Sequence, residues 1–123
     1  VNIVVCDDDP FVLDEIRQVI KIVLPDSSLI IVEQPVDAQT LLQLDPGLIV
    51  LGIARRDDTG LELLRKIRSG SSVPVITVAA AGDLDAMVQA FDAGTDGYAS
   101  KPLRLMEFAA RVMAVLRRWG YRF

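Results

Sequence analysis

At 123 residues, 51% of them hydrophobic and 24% charged, the chain has the size and balance of one globular domain with a real core. A net charge of -4 with no basic stripe along any element excludes direct nucleic-acid binding by this piece, and no apolar run approaches the ~20 residues of a membrane span. The absence of histidine removes the commonest general base, the usual catalytic triads and most zinc sites.

In chain order, Val1–Cys6 (VNIVVC) is rich in β-branched residues and predicts a strand. Pro10–Leu24 carries apolar residues at Phe11, Val12, Ile16, Val19, Ile20 and Val23, a helical stripe, with Pro10 suited to the first turn and Pro25 ending it. Leu29–Val32 predicts the second strand, and Ala38–Leu44 a short helix closed by Asp45-Pro46-Gly47. Leu48–Leu51 is the third strand and Leu61–Arg68 its following helix; Val75–Ala79 is the fourth strand, followed by a helix over Leu84–Ala93 closed by Gly94. Tyr98–Ser100 predicts a short fifth strand before Lys101-Pro102. The last helix, Leu105–Trp119, is expected to bury Leu105, Phe108, Ala109, Val112, Val115 and Leu116.

Strands and helices thus alternate with short connections, and the strands are apolar without alternation. Both sheet faces are then covered, which makes the fold a three-layer, doubly wound five-stranded parallel sheet, one domain over residues 1–123. Ligand sites in such sheets lie beyond the carboxyl ends of the strands. There the chain places Asp7, Asp8 and Asp9, then Gly52 and its loop IARRDDT, then Ala79 and Ala80, then Lys101-Pro102. Adjacent carboxylates at ~4 Å repel by roughly 4 kcal/mol at an effective dielectric near 20, so they call for a positive partner: Lys101 or a hard divalent cation. Asp9 also suits the N-cap of the first helix.

VVCDDDP, LIVLGIARRDDTGLELL, PVITVAA, AGTDGYASKPL and the closing helix RVMAVLRR together resemble a receiver domain of bacterial two-component response regulators, over essentially the whole chain. The resemblance implies a flavodoxin-like (βα)5 fold with strand order 2-1-3-4-5, a cytoplasmic setting, which the single cysteine, Cys6, also suits, and a histidine kinase, another receiver or an output domain as protein partner. It implies that Asp7 and Asp8 are the acidic pair that holds Mg²⁺, with the Ala54 carbonyl as a further ligand. Lys101 is then the phosphate-holding lysine, Pro102 its partner in a cis peptide, and Tyr98 the aromatic switch. Gly60 matches the glycine starting the third helix, and counting back from it puts the phosphoacceptor aspartate's position at Gly52. The Thr/Ser position, counted from Pro74, is Ala79, and the proline usual in the loop is Arg56.

A glycine cannot attack phosphorus and an alanine cannot donate a hydrogen bond to a phosphate. The expected reading is therefore a degenerate receiver, not an enzyme, that signals by binding, with weak Mg²⁺ affinity and Lys101 pairing with Asp7 or Asp8 in the ion's place. Two alternatives stand beside it: an acceptor moved to Asp57, Asp58 or Asp8, and a Mg²⁺-dependent phosphohydrolase with Asp7 as nucleophile and Asp9 as acid. The resemblance extends to the subclass joined to winged-helix DNA-binding domains, whose receivers pair through the fourth helix, fifth strand and fifth helix. Met87, Asp96, Glu107, Arg111 and Arg118 fall where that subclass places its intersubunit contacts, Met87 standing where a basic residue is usual. Cys6 is expected to pack in the core beside the site. No basic, apolar leader is recognisable, and Val1 in place of Met is expected of a processed chain or a piece of a longer one.

Overall fold

The computed structural model describes residues 1–34, 36–53 and 58–123. The elements run β1 (Asn2–Cys6), α1 (Pro10–Val23), β2 (Ser28–Ile31), α2 (Ala38–Gln43), β3 (Pro46–Gly52), α3 (Thr59–Gly70), β4 (Val75–Ala80), α4 (Leu84–Asp92), β5 (Gly97–Lys101) and α5 (Leu105–Arg117). All neighbouring strands pair in parallel, in the order β2-β1-β3-β4-β5. This is the doubly wound, flavodoxin-like arrangement expected of the alternating pattern. β3 is longer than its apolar run because Pro46, Gly47 and Gly52 extend the pairing at both ends.

Successive residues of one strand serve opposite cores, as the pleat requires. Ile3, Val5, Leu48 and Val50 face the core under α1 and α5, whose Ile16, Val19, Phe108 and Val112 complete it. Val4, Cys6, Ile49 and Leu51 face the other core, under α2, α3 and α4, where Leu41, Leu64, Ile67 and Ala90 pack. Cys6 is fully buried, as expected.

The helix starts follow their capping chemistry. Asp9 accepts a hydrogen bond from the Phe11 N–H at 3.0 Å, Asp37 from the Thr40 N–H at 2.7 Å and Asp83 from the Ala86 N–H at 3.0 Å. Two residues depart from the expected core. Phe11 is 79% exposed because it lies one residue step off the stripe made by Val12, Ile16 and Val19. Leu105 is 37% exposed: side chains tilt toward a helix's N-terminus, so that of the first residue projects past the helix end. Ala109 is only partly buried against the same core.

The chain's last residues fold back. Tyr121 N–H donates to the Leu116 carbonyl at 3.2 Å, and the ring packs partly buried on the α1/α5 core. A Cβ on Gly47 would collide with Val1 and lie 3.2 Å from the Tyr121 hydroxyl, so the start of β3 needs a glycine for both chain ends to close on it. Among the described residues no helix is long and apolar enough to cross a membrane.

Candidate functional site at the strand tips

The carboxyl ends of β1 and β3 lie side by side, with Cys6 in register with Leu51, and the β5 end brings Lys101 next to Asp7. A cleft here is lined by Asp7, Asp8, Glu33, Gln34, Gly52 and Lys101 among others. The topology therefore gathers the residues that the sequence scatters over the first, third and fifth strands.

Asp7 is the centre of the site. Its side chain is only 3% exposed, and the Lys101 Nζ lies 3.2 Å from Oδ2 and 3.5 Å from Oδ1. Oδ1 also accepts the Asp9 N–H at 2.9 Å, whereas Oδ2 is buried and accepts no hydrogen bond. Lys101 is thus the cation beside the acidic pair, on Asp7 and not on Asp8, which is exposed. Gly52 closes the floor: a Cβ built on it would collide with Asp7 Oδ2, lie 2.9 Å from Asp7 Cγ and 3.1 Å from the Cys6 carbonyl.

Around this centre, Ala79 is buried at the β4 end, paired in register with Ser100. The Lys101–Pro102 peptide bond is cis. Tyr98 is turned into the protein and buried, its hydroxyl 3.5 Å from the Asp83 carbonyl, and burial together with the Asp83 charge raises its pKa above the ordinary phenol value. Asp58 is exposed and stands at the N-cap position of α3, but its side chain makes no capping hydrogen bond. Asp9 caps α1, accepting the Phe11 N–H through Oδ1. Asp57, Arg56 and the Ala54 carbonyl lie outside the described residues.

Sequence reasoning missed Gln34. Its Nε2 donates to the Cys6 carbonyl at 3.2 Å and to the Gly52 carbonyl at 3.3 Å, bridging the tips of β1 and β3. The signal was available: Gln34 lies just past the end of the second strand, at the same end of the sheet as the other tips.

Mg²⁺ binds through several hard oxygen ligands and sheds water reluctantly. Among the described residues no group of three histidine, cysteine, aspartate or glutamate side chains converges on a point. The buried, unbonded Asp7 oxygen is already faced by an ammonium. Among the described residues the donor set fits the ion poorly.

The partner face expected from the sequence is built from α4, β5 and α5. Leu84, Val88 and Phe91 of α4 are 65%, 59% and 50% exposed, with Met87 half-buried between them and the core. Glu107 and Arg111 pair with each other at 3.0 Å along α5. The Asp96 carboxylate is held at 2.6 Å by Arg68 and accepts the Val75 N–H at 2.8 Å, while Arg118 reaches the Asp96 carbonyl at 3.4 Å. Asp96, Glu107 and Arg111 therefore have charged partners within the chain.

Known proteins agree with this frame. The chain is 32% identical over 117 residues to the transcriptional regulatory protein KdpE of Mycobacterium tuberculosis, covering 94% of this chain and 51% of that protein. It is 33% identical over 120 residues to the response regulator MprA of Mycobacterium bovis, covering 96% of this chain and 51% of MprA. The chain thus spans about half the length of these relatives. Among solved structures, the signal receiver domain of a DNA-binding response regulator from Colwellia psychrerythraea superposes with a TM-score of 0.80 at 21% identity, covering 94% of this chain and 98% of that one. The sequence profile of the response regulator receiver domain matches residues 3–113, and with it the chain belongs to the response regulator receiver family.

Proposed function

We propose that this receiver domain signals without taking a phosphoryl group at the tip of β3, and that its output is made through protein contacts. One observation carries the reading: the residue that faces Asp7 and Lys101 from the β3 end is Gly52, which has no side chain to act as nucleophile. Ala79 at the β4 tip supports it, since a methyl group cannot draw a loop onto a phosphate. Lys101 takes the role of counter-cation to Asp7 in place of Mg²⁺, so magnesium titration should show no saturation below the millimolar range.

Incubation with acetyl phosphate, and separately with histidine kinases of the source organism, followed by intact-mass measurement tests the reading. No phosphoryl adduct is expected. An adduct localised to Asp8, Asp57 or Asp58 would replace it with a relocated acceptor, and steady release of inorganic phosphate with a hydrolase.

The contact surface proposed for output is the α4–β5–α5 face, meeting a second copy, another receiver or an attached output domain. Because Asp96, Glu107 and Arg111 already have partners within the chain, the exposed Leu84, Val88 and Phe91 supply most of the contact. A relative is a transcriptional regulatory protein, which favours transcription regulation, through an attached DNA-binding domain, as the output.

A further inference from the structure

We propose that Gly52 is the seat of the Asp7 carboxylate: a β3 tip without a side chain lets Asp7 fold inward over the strand end and take the space that a side chain there would fill. Three observations meet at this point. The Cβ position of Gly52 is filled by Asp7, whose Oδ2 collides with it and whose Cγ lies 2.9 Å away. The same carboxylate is held from two other elements, by Lys101 at 3.2 Å at the end of β5 and by the Asp9 N–H at 2.9 Å at the start of α1. Gln34 then bridges the carbonyls of Cys6 and Gly52 above the two strand tips.

The cleft beside it would let Asp7 turn toward water. Instead its side chain is buried, with one oxygen unbonded, a placement that Lys101, the Asp9 N–H and the absent Gly52 side chain together make tenable. Position 52 is therefore not merely short of a nucleophile. It takes part in a three-way contact among β1, β3 and β5, and Asp7 acts here as a positioning residue that ties Lys101 to the β1 tip. Restoring a side chain at position 52 alone does not recreate an open acceptor site, because Asp7 stands in its way.

The test is a double-mutant cycle on the full chain with Gly52→Ala, Asp7→Ala and the double variant, read by thermal unfolding and by amide NMR. A glycine-to-alanine change that fits its site usually stabilises by restricting the unfolded chain. Here Gly52→Ala is expected to lower Tm by about 4 °C or more in the Asp7 background. It should lower it much less when Asp7 is already alanine, where the Cys6 carbonyl at 3.1 Å is the close contact that remains. The Asp9 amide resonance should also move in Gly52→Ala, as its Asp7 acceptor is pushed away. Equal Tm changes in both backgrounds, or an unmoved Asp9 amide in a folded Gly52→Ala protein, would overturn the proposal. If Gly52→Ala does not fold, the double variant decides: recovery of folding supports the seat, and failure to recover refutes it.

The inference deepens the proposed function, since it concerns the same strand tip, but the two fail separately. A phosphoryl adduct elsewhere on the chain would sink the phosphorylation-independent reading and leave the coupling intact. Zero coupling would sink the seat and leave Gly52 without a nucleophile.

Discussion

Burial pushes the Cys6 thiol from 9.0 up to about 12, and the neighbouring Asp7 charge adds to the shift. A raised pKa means the fold prefers the protonated thiol. That preference is fully present below pH 9, where the unfolded chain's thiol is also protonated, and is lost as pH rises from there toward 12. Tyr98 titrates in the same direction, through burial first and Asp83 second. Urea unfolding across this alkaline range should show falling stability, with a shallower slope in Cys6→Ala, whose stability at neutral pH is lower because of the cavity left. At neutral pH, iodoacetamide should modify Cys6 only after denaturant is added; modification of the native protein would contradict its burial. Arg68 is the other residue with an outsized role. It donates from Nε to the Gly94 carbonyl at 2.8 Å and from Nη1 to the Val73 carbonyl at 2.6 Å, and pairs with Asp96 at 2.6 Å, joining the ends of α3 and α4 to the starts of β4 and β5. Arg68→Met leaves Asp96 half-buried without its cation and is expected to cost about 1.5–3 kcal/mol in urea unfolding. A loss within experimental error would mean the hub is dispensable.

Among the elements, α4 turns three large apolar side chains outward, Leu84, Val88 and Phe91. Phe91→Glu should abolish self-association or partner capture in sedimentation velocity while leaving Tm near that of the unchanged protein, whereas Arg111→Ala, which breaks only an exposed pair worth ~0–1 kcal/mol, should do little. A reversed ranking would assign the face to its charges. The order of elements was legible in the sequence because each strand is a short β-branched run and each helix carries a stripe, signals that depend on neighbours along the chain. Boundaries moved by a residue or two, as with β3 and α3, where polar and glycine residues continue pairing that composition does not announce. The placement of Asp7, Gly52 and Lys101 at one tip was legible too, once strands were read as parallel. What could not be read were facts of packing: which carboxylate Lys101 would choose, the commitment of Asp96 to Arg68, and the reach of Gln34 across two strand ends. These depend on side-chain direction between residues far apart in the chain, which no local period encodes.

For the whole molecule, the sheet separates two cores with different neighbours: α1 and α5 share one, α2, α3 and α4 the other. The chain's termini meet on the first of these, where Val1 and Tyr121 converge on Gly47. Gly47→Val should dislodge Tyr121, speeding tryptic cleavage at Arg117, Arg118 and Arg122 without unfolding the sheet; unchanged cleavage would show that the closing residues hold by other means. β3 begins at this contact and ends at the Asp7 site. One strand, roughly 20 Å long at ~3.3 Å per residue, thus has the tail docked at its base and the Asp7 cleft at its summit. Both neighbours of that strand pair with it along its length, so a push on the tail at its base is borne by the same backbone that carries Gly52 at its summit.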